Sequence, residues 1–418
     1  MNMREMKDSG IEWIGTIPKD WYCCKQKYVI QLINGRAYSD NEFEEDGKYR
    51  ILRVGNLFSN PTWYTSSLEL PDDKYCDNGD LLYSWSMSYA PVIWHGEKVI
   101  YHYHIWKTRL SIDIDKMFAY YYLISLTDAL RAEIHETTMG FITMGIMNDS
   151  YIAFPELSEQ KRIAGYLDDR CSEFESLVSD IQSQIEALEE YKKSLVFRVI
   201  SKGIKKAALK NTVSDVWTAI PENWELIDIK YVFEIVKRIA GQEGFDVLSV
   251  TQKGLKVKDI ESNNGQQAES YAGYQFVYPT DYVMNHMDLL TGWVDCSTMF
   301  GVTSPDYRVF RLRDKENNDL TYFKYVMQCC YMSRIFYSLG QGVSNLGRWR
   351  LQTSAFNNFM IPVPPLDEQR KIADYLDTKI SEIDIIIAEK KQQIETIEEY
   401  KKSLIFEYVT GKKEVVNE

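Results

Sequence analysis

Four stretches of this 418-residue chain hold residue types that do chemistry elsewhere. Asn60-Pro61-Thr62-Trp63 is one residue away from the N-P-P-[YFW] motif of adenine methyltransferases, but no glycine-rich cofactor loop after a strand precedes it, and Asn-Pro reads first as a turn. Gly340 to Gly347 (GQGVSNLG) contains G-x-G, yet it follows a helical stretch where a dinucleotide site needs a strand. Glu190-Tyr191-Lys192 has the E-x-K spacing of many nucleases, without a paired Asp, in a segment whose pattern is a solvated helix face. His102 and His104 alternate with no third ligand in view, which fits sheet packing or surface better than metal. No Walker loop and no H-E-x-x-H occurs, so no catalytic constellation is complete.

What the sequence does contain is a duplication. EEYKKSL stands at Glu189 to Leu195 and again at Glu398 to Leu404. Extended both ways, Ser158–Phe197 matches Asp367–Phe406 at 20 of 40 positions without a gap. Both copies read as helix: Ser158 or Asp367 at the N-cap, acidic first turns and no internal Pro.

Apolar residues recur by fours and threes at Leu167, Cys171, Phe174, Val178, Ile181, Ile185 and Leu188. In the second copy they recur at Leu376, Ile380, Ile383, Ile387, Ile394 and Ile397. That spacing is a coiled-coil seam. Lys390 falls where the first copy has Ile181. It either fixes register or lines a partner surface as a polar seam residue, or snorkels to the edge. A helix over 158–200 would be roughly 64 Å long at 1.5 Å per residue, which calls for a partner.

Each helix follows a globular segment, and the two segments also echo each other. TIPKDW (Thr16 to Trp21) answers AIPENW (Ala219 to Trp224), and Lys27-Tyr28-Val29 answers Lys230-Tyr231-Val232. The expected architecture is mixed α/β: a head at 1–154, a helical spacer at 155–203, a second head at 204–363, a second spacer at 364–411 and a tail at 412–418. YRILRV, GDLLYSW, APVIWH, KVIYHYHIWKTRLSI, FDVLSV, YQFVY and YRVFRLR read as strands, with His95-Gly96-Glu97 as a turn. MFAYYYLISLTDALRAEI and LTYFKYVMQCCYMSRIFYSL read as helices. If the long helices pair, they run antiparallel, with pseudo-two-fold symmetry and one head at each end. Such symmetry matches that of duplex DNA.

Composition adds bounds. With no apolar run of 18 residues and a polar N-terminus, the chain is expected to be cytoplasmic and without membrane contact. Seven cysteines form no C-x-x-C, so reduced thiols are expected. The formal net charge is -13, and no segment is net basic: the first head carries about -6 and the second about 0. Nucleic-acid binding would have to come from local clusters or be reinforced by a partner.

Lys7 to Trp21 (KDSGIEWIGTIPKDW), Pro155 to Ile163 (PELSEQKRI), Pro364 to Ile372 (PPLDEQRKI) and the repeated EEYKKSL together resemble the specificity subunit of Type I restriction-modification enzymes, over the whole chain and in order. One place departs from the pattern: VSDVWTAIPENW (Val213 to Trp224) keeps only part of it, so the start of the second head is less sharply drawn. The resemblance implies a subunit with no catalysis of its own, for which no cofactor and no metal is expected. It implies two target recognition domains, each reading one half of a bipartite, asymmetric double-stranded DNA sequence. It implies paired helices that act as a ruler for the unread spacer and dock two methyltransferase subunits, joined by a motor-nuclease subunit.

Base readout needs loop side chains that enter a groove, Arg for guanine and Asn or Gln for adenine. In the first head the candidates are Arg36, Arg50, Arg53 and Asn56, then Ser84, Trp85 and Ser86, and the loop residues Thr138, Met139 and Gly140. In the second they are Lys237 and Arg238, Gln252 and Lys253, Asn285 and His286, and the loop residues Gln341, Ser344, Asn345, Arg348 and Arg350. Many such residues only position the backbone. For the partner dock, Tyr191 and Tyr400 are candidates; the plain alternative is that EEYKKSL recurs because both helices pack alike there. Two other functions compete: a coiled-coil scaffold that binds no specific DNA, and an enzyme with its own methyltransferase or nuclease centre.

Overall fold

Both copies of the repeat form one uninterrupted helix each, Leu157–Lys202 (46 residues) and Leu366–Val409 (44 residues), in the computed structural model, which describes residues 4–86, 88–136, 141–259, 268–342 and 349–415. Straight-chain helix formers and the absence of Pro let them run. Each stops at a glycine in the left-handed region, Gly203 (φ 75°) and Gly411 (φ 69°), where any Cβ would be strained.

The chain divides into two units, residues 1–181 with 392–418, and residues 182–391. In the first unit the helices meet antiparallel: Tyr166 lies 4.6 Å from Tyr408 and Phe174 5.5 Å from Tyr400, ring to ring. In the second, Lys192 pairs with Asp384 at 2.6 Å and Lys390 donates to the Gln184 side-chain oxygen at 2.5 Å. Lys390 therefore makes an exposed polar contact across the helix pair. Leu167, Cys171, Ile181, Ile185, Leu376, Ile383 and Ile387 are buried. Phe174, Val178, Leu188, Ile380, Ile394 and Ile397 are half-buried.

The first head is built on two four-stranded sheets. One runs Ile30–Asn34, Ile105–Leu110, Leu81–Ser84, Ala90–Ile93, antiparallel throughout. The other runs Tyr64–Ser66, Tyr49–Leu52, Val99–Tyr101, Tyr75–Cys76, with Val99–Tyr101 parallel to Tyr49–Leu52. A helix, Lys116–Glu136, covers the first sheet.

The second head repeats the frame. Its main sheet runs Phe233–Val236, Arg308–Leu312, Tyr282–Met284, Val294–Cys296 in the same order. Val247 bridges Val302 in parallel, where the first head has its parallel pair. The covering helix is Leu320–Met332.

Two expected elements are broken. The long strand expected near 98–112 splits into Val99–Tyr101 and Ile105–Leu110, because the Arg36 carbonyl captures the Tyr103 N–H at 3.0 Å and diverts the chain into a turn. The helix expected across 320–339 ends at Met332, and Arg334 turns left-handed (φ 54°) before a short helix, Ile335–Ser338.

Each long helix is latched to the head it leaves by a buried glutamine. The Gln160 amide donates to the carbonyls of Asp113 and Pro155 at 2.8 Å, and its oxygen accepts from the Asp115 N–H at 2.8 Å. Gln369 does the same with Pro364 at 2.9 Å and Asp319 at 2.8 Å. At the other end, Leu404, Ile405 and Val409 join the first head's core with Trp21 and Phe118. Burying each such side chain contributes about 1.5–3 kcal/mol. All seven cysteines are free thiols. Among the described residues no helix is long and apolar enough to cross a membrane.

Candidate nucleic-acid interface

In the first head, three of the segments chosen from sequence converge on the turn between Tyr101 and Ile105. The Arg36 N–H donates to the Tyr101 carbonyl at 3.1 Å, the His102 N–H to Leu52, beside Arg53, at 2.9 Å, and the Trp85 N–H to His104 at 3.2 Å. Gly35 permits this approach, since a Cβ there would lie 2.3 Å from the His102 carbonyl oxygen.

The turn itself is aromatic. Trp85 stacks on Trp106 at 5.7 Å, meets His104 edge-on at 5.1 Å, and its indole N–H donates to the Tyr103 carbonyl at 2.7 Å. Burial, then His104 and Arg53, pull His102 down to about 4; burial and Arg53 lower His104. Both imidazoles are therefore neutral near pH 7, each offering one N–H donor and one acceptor nitrogen. Sequence reasoning took His102 and His104 for sheet packing or surface and passed over Tyr103; their neighbourhood with Arg36 and Arg53 is the signal that only the fold supplies.

The arginines differ in how free they are. Arg36 is paired with Glu42, whose carboxyl is held at about 2 by the Arg36 guanidinium and the Ser39 N–H. Arg50 lies 3.3 Å from Glu97 and over the Trp63 ring at 5.5 Å. Arg53 has no ion pair among the described residues and lies over Tyr64 at 5.1 Å.

Two candidates are corrected. The Asn56 amide is spent on its own loop, accepting from the Arg53 N–H at 3.1 Å and donating to the carbonyls of Asn60 at 3.0 Å and Thr62 at 2.8 Å. Ser84 is fully buried, with its hydroxyl on the Ser86 carbonyl at 3.3 Å, because the strand that carries it lies inside the sheet. Ser86 remains half-buried at the strand end.

The second head places its candidates at matching strand ends. Lys237 and Arg238 follow Phe233–Val236 as Arg36 follows Ile30–Asn34; Gln252 and Lys253 follow Leu248–Thr251 as Arg53 follows Tyr49–Leu52. Asn285 and His286 follow Tyr282–Met284 as Trp85 and Ser86 follow Leu81–Ser84.

The side chains are again unequally free. Lys237 and Lys253 are exposed without an ion pair among the described residues, whereas Arg238 is paired with the buried Asp281. Gln252 makes one long bond to the Thr291 carbonyl at 3.5 Å. The Asn285 oxygen accepts from the Met287 N–H at 3.3 Å.

His286 is pushed down to about 3 by burial and by the charges of Arg308 and Arg350. Arg308, missed from sequence because it opens a strand where a core residue belongs, is buried and lowered to about 10 by burial; it donates to the Leu351 carbonyl at 3.1 Å and the Thr353 hydroxyl at 3.3 Å. Those bonds fix the exit of the loop before the second long helix.

That loop is closed at its base. Gln341 and Arg350 exchange backbone hydrogen bonds of 2.9 and 3.1 Å, and Trp349 stacks on Tyr337 at 5.5 Å. The Arg350 guanidinium packs against the Met287 sulfur. Ser344, Asn345 and Arg348, and in the first head Thr138, Met139 and Gly140, lie outside the described residues. Among the described residues no group of three His, Cys, Asp or Glu side chains could hold a metal ion.

Comparison with known proteins agrees with the duplicated frame. A family model described as the Type I restriction modification DNA specificity domain matches residues 18–187 and again 221–396. The Type I restriction enzyme MjaVIII specificity subunit of Methanocaldococcus jannaschii is 26% identical over 427 residues, covering 96% of this chain and 95% of that one. The Type I restriction enzyme EcoBI specificity subunit of Escherichia coli is 21% identical over 229 residues, 53% of this chain and 48% of its own. A solved chain, from work on complex assembly and conformational transition of the type I R-M system, shares the fold with a TM-score of 0.66 over 94% of this chain and 98% of that one, at 13% identity.

Proposed function

This chain belongs to the Type I restriction-modification specificity subunits, the family that carries DNA target recognition, and from that premise we propose that its two heads read two different half-sites of one bipartite, asymmetric duplex target. The observation that carries the proposal is the pairing of equal frames with unequal side chains. At matching strand ends the first head presents Arg53 and Trp85 where the second presents Gln252 and Asn285. Equal frames dock on DNA alike, and unequal polar groups at the groove then select different bases.

The chain does no chemistry itself in this reading. Two DNA adenine methyltransferase subunits dock on the long helices, at the exposed Tyr191 and Tyr400 of the repeated heptamer, and a motor-nuclease subunit completes the complex. Exposed aromatics beside a helix seam suit a protein interface. Docked partners also contribute cations, which an acidic chain needs on a polyanion.

Long-read methylation mapping of the host genome, with and without this gene, tests the proposal. Loss of one bipartite, asymmetric N6-methyladenine motif on deletion is the expected result. An unchanged methylome with the partner subunits expressed would overturn it in favour of a scaffold without DNA specificity.

A further inference from the structure

Unit 2 contains a cleft of about 880 Å³ between the covering helix of its head, the turn after Leu248–Thr251 and the two long helices. Six cations line it: Lys192, Lys193, Lys253, Lys324, Arg334 and Lys391. Only Glu189, Asp295 and Asp384 oppose them from the lining, and Asp295 is spent on the N–H groups of Leu255 and Cys296, both at 2.9 Å. Lys192 is held by Asp384 at 2.6 Å, Lys193 by Glu190 at 2.6 Å, and Lys324 lies 3.8 Å from Asp377. Lys253, Arg334 and Lys391 have no carboxylate within ion-pair distance among the described residues, and all three are exposed. Three unneutralised cations around one cleft, in a chain of net charge -13, mark a site for a polyanion.

Arg334 adds a second, independent observation. It occupies a left-handed backbone position (φ 54°), which Gly or Asn would take without strain. Strain kept at a surface position points to a use for the side chain it presents.

The internal repeat identifies the class of ligand. Asp115 and Asp319 are bonded alike by the latch glutamines, and Tyr121 and Tyr325 bond Asp168 and Asp377 alike, which aligns the two covering helices. On that alignment Lys324 and Arg334 stand where the first head has Tyr120 and Leu130, and Lys391 where the first long helix has Gln182. Features used by two copies of a partner recur in both halves, as Tyr191 and Tyr400 do. This cluster occurs once, so its ligand is met once.

We infer that the cleft holds backbone phosphates of the duplex beside the half-site read by the second head, with Lys253, Arg334 and Lys391 as the contacts. The inference rests on the DNA reading above. Lys253 belongs to the same turn as Gln252, so phosphate anchoring continues directly from a base-reading position.

The test is the salt dependence of binding by the full chain, with its methyltransferase partner, to a duplex of arbitrary sequence. Phosphate contacts are independent of sequence and each contributes about 0.9 to the slope of log K against log salt. K253E/R334E/K391E is expected to make the slope shallower by about 2 to 3. A control reversal at three exposed lysines that do not line the cleft, K161E/K205E/K206E, is expected to leave most of it. An unchanged slope in the cleft variant, or an equal loss in the control, overturns the inference while the DNA reading stands. Loss of partner assembly with the slope intact overturns it in favour of an acidic protein segment. A wild-type complex with no salt-dependent binding overturns the DNA reading and the cleft together.

Discussion

Lys192 on the first long helix reaches Asp384 on the second at 2.6 Å, and Lys401, its equivalent in the repeated heptamer, reaches Glu175, the equivalent of Asp384, at 2.8 Å. Each copy of EEYKKSL thus supplies the lysine of one cross-helix ion pair, beside a buried Leu195 or Leu404. Both carboxylates are at least half exposed, so double-mutant cycles (K192A with D384A, K401A with E175A) should each return a coupling of about 0.2–1 kcal/mol, falling with salt. Burial lowers the Lys401 pKa, but the hydrogen bond and charge of Glu175 outweigh it and the net shift is upward. A raised lysine gives stability that is fully present below the unfolded value of ~10.4 and is lost as pH rises through the folded one. Cycles that return zero at low salt would reduce the repeat to shared packing.

The two latch glutamines should be worth more than the ion pairs. Gln160 and Gln369 are buried, and each satisfies backbone groups at the start of its helix, among them the buried carbonyl of Pro155 or Pro364. Gln160→Leu and Gln369→Leu leave those groups orphaned, at about 1–3 kcal/mol for each unpaired donor or acceptor. Urea denaturation should show both variants less stable than wild type by more than the Lys192 variant. A loss below 0.5 kcal/mol (~a typical surface substitution) would mean the helix starts are held by the apolar contacts alone.

Acid should weaken the second head through His286. Its folded pKa is near 3, below the unfolded value of ~6.5, so as pH falls between the two the unfolded chain takes up a proton that the folded chain refuses. Stability from this group therefore declines as pH falls from ~6.5 toward 3. Carboxylates such as Glu42 are lost in the same direction at lower pH, so the comparison that isolates the imidazole is His286→Phe against wild type. The variant should lose less stability between pH 7 and pH 4. Parallel curves would place the acid response elsewhere.

The long helices, their seam and the equivalence of the two halves are legible in the sequence because heptad spacing and repetition are local properties. The reading end is legible only as far as strand ends can be guessed. Nothing local to Lys98–Ile112 says that the chain breaks at His102–His104; that follows from the Arg36 carbonyl, some seventy residues earlier. Nor does the sequence say that Asn56 is spent on Asn60 and Thr62 or that Asp281 neutralises Arg238, since both depend on how loops close. The cationic cleft is invisible along the chain because Lys253, Arg334 and Lys391 come from three elements distant in sequence.

Arg53 and Lys237 should separate base reading from backbone positioning. Arg53 carries a free guanidinium at a strand end, over Tyr64, with its backbone fixed by the Asn56 cap; a planar fork so held can pair with the O6 and N7 of a guanine. Lys237 is an exposed ammonium on the sheet's edge, a point charge without directional preference. Methylation of a randomised duplex library by the assembled complex, read by sequencing, distinguishes the two roles. Arg53→Ala should relax the requirement at one position of the first half-site, at about 1–3 kcal/mol of discrimination, and leave the second half-site untouched. Lys237→Ala should lower methylation of all sequences alike and flatten the salt dependence by about 1. Uniform weakening by Arg53→Ala would make it a phosphate contact, and base readout by the first head would then pass to the neutral edges of Tyr103 and His104.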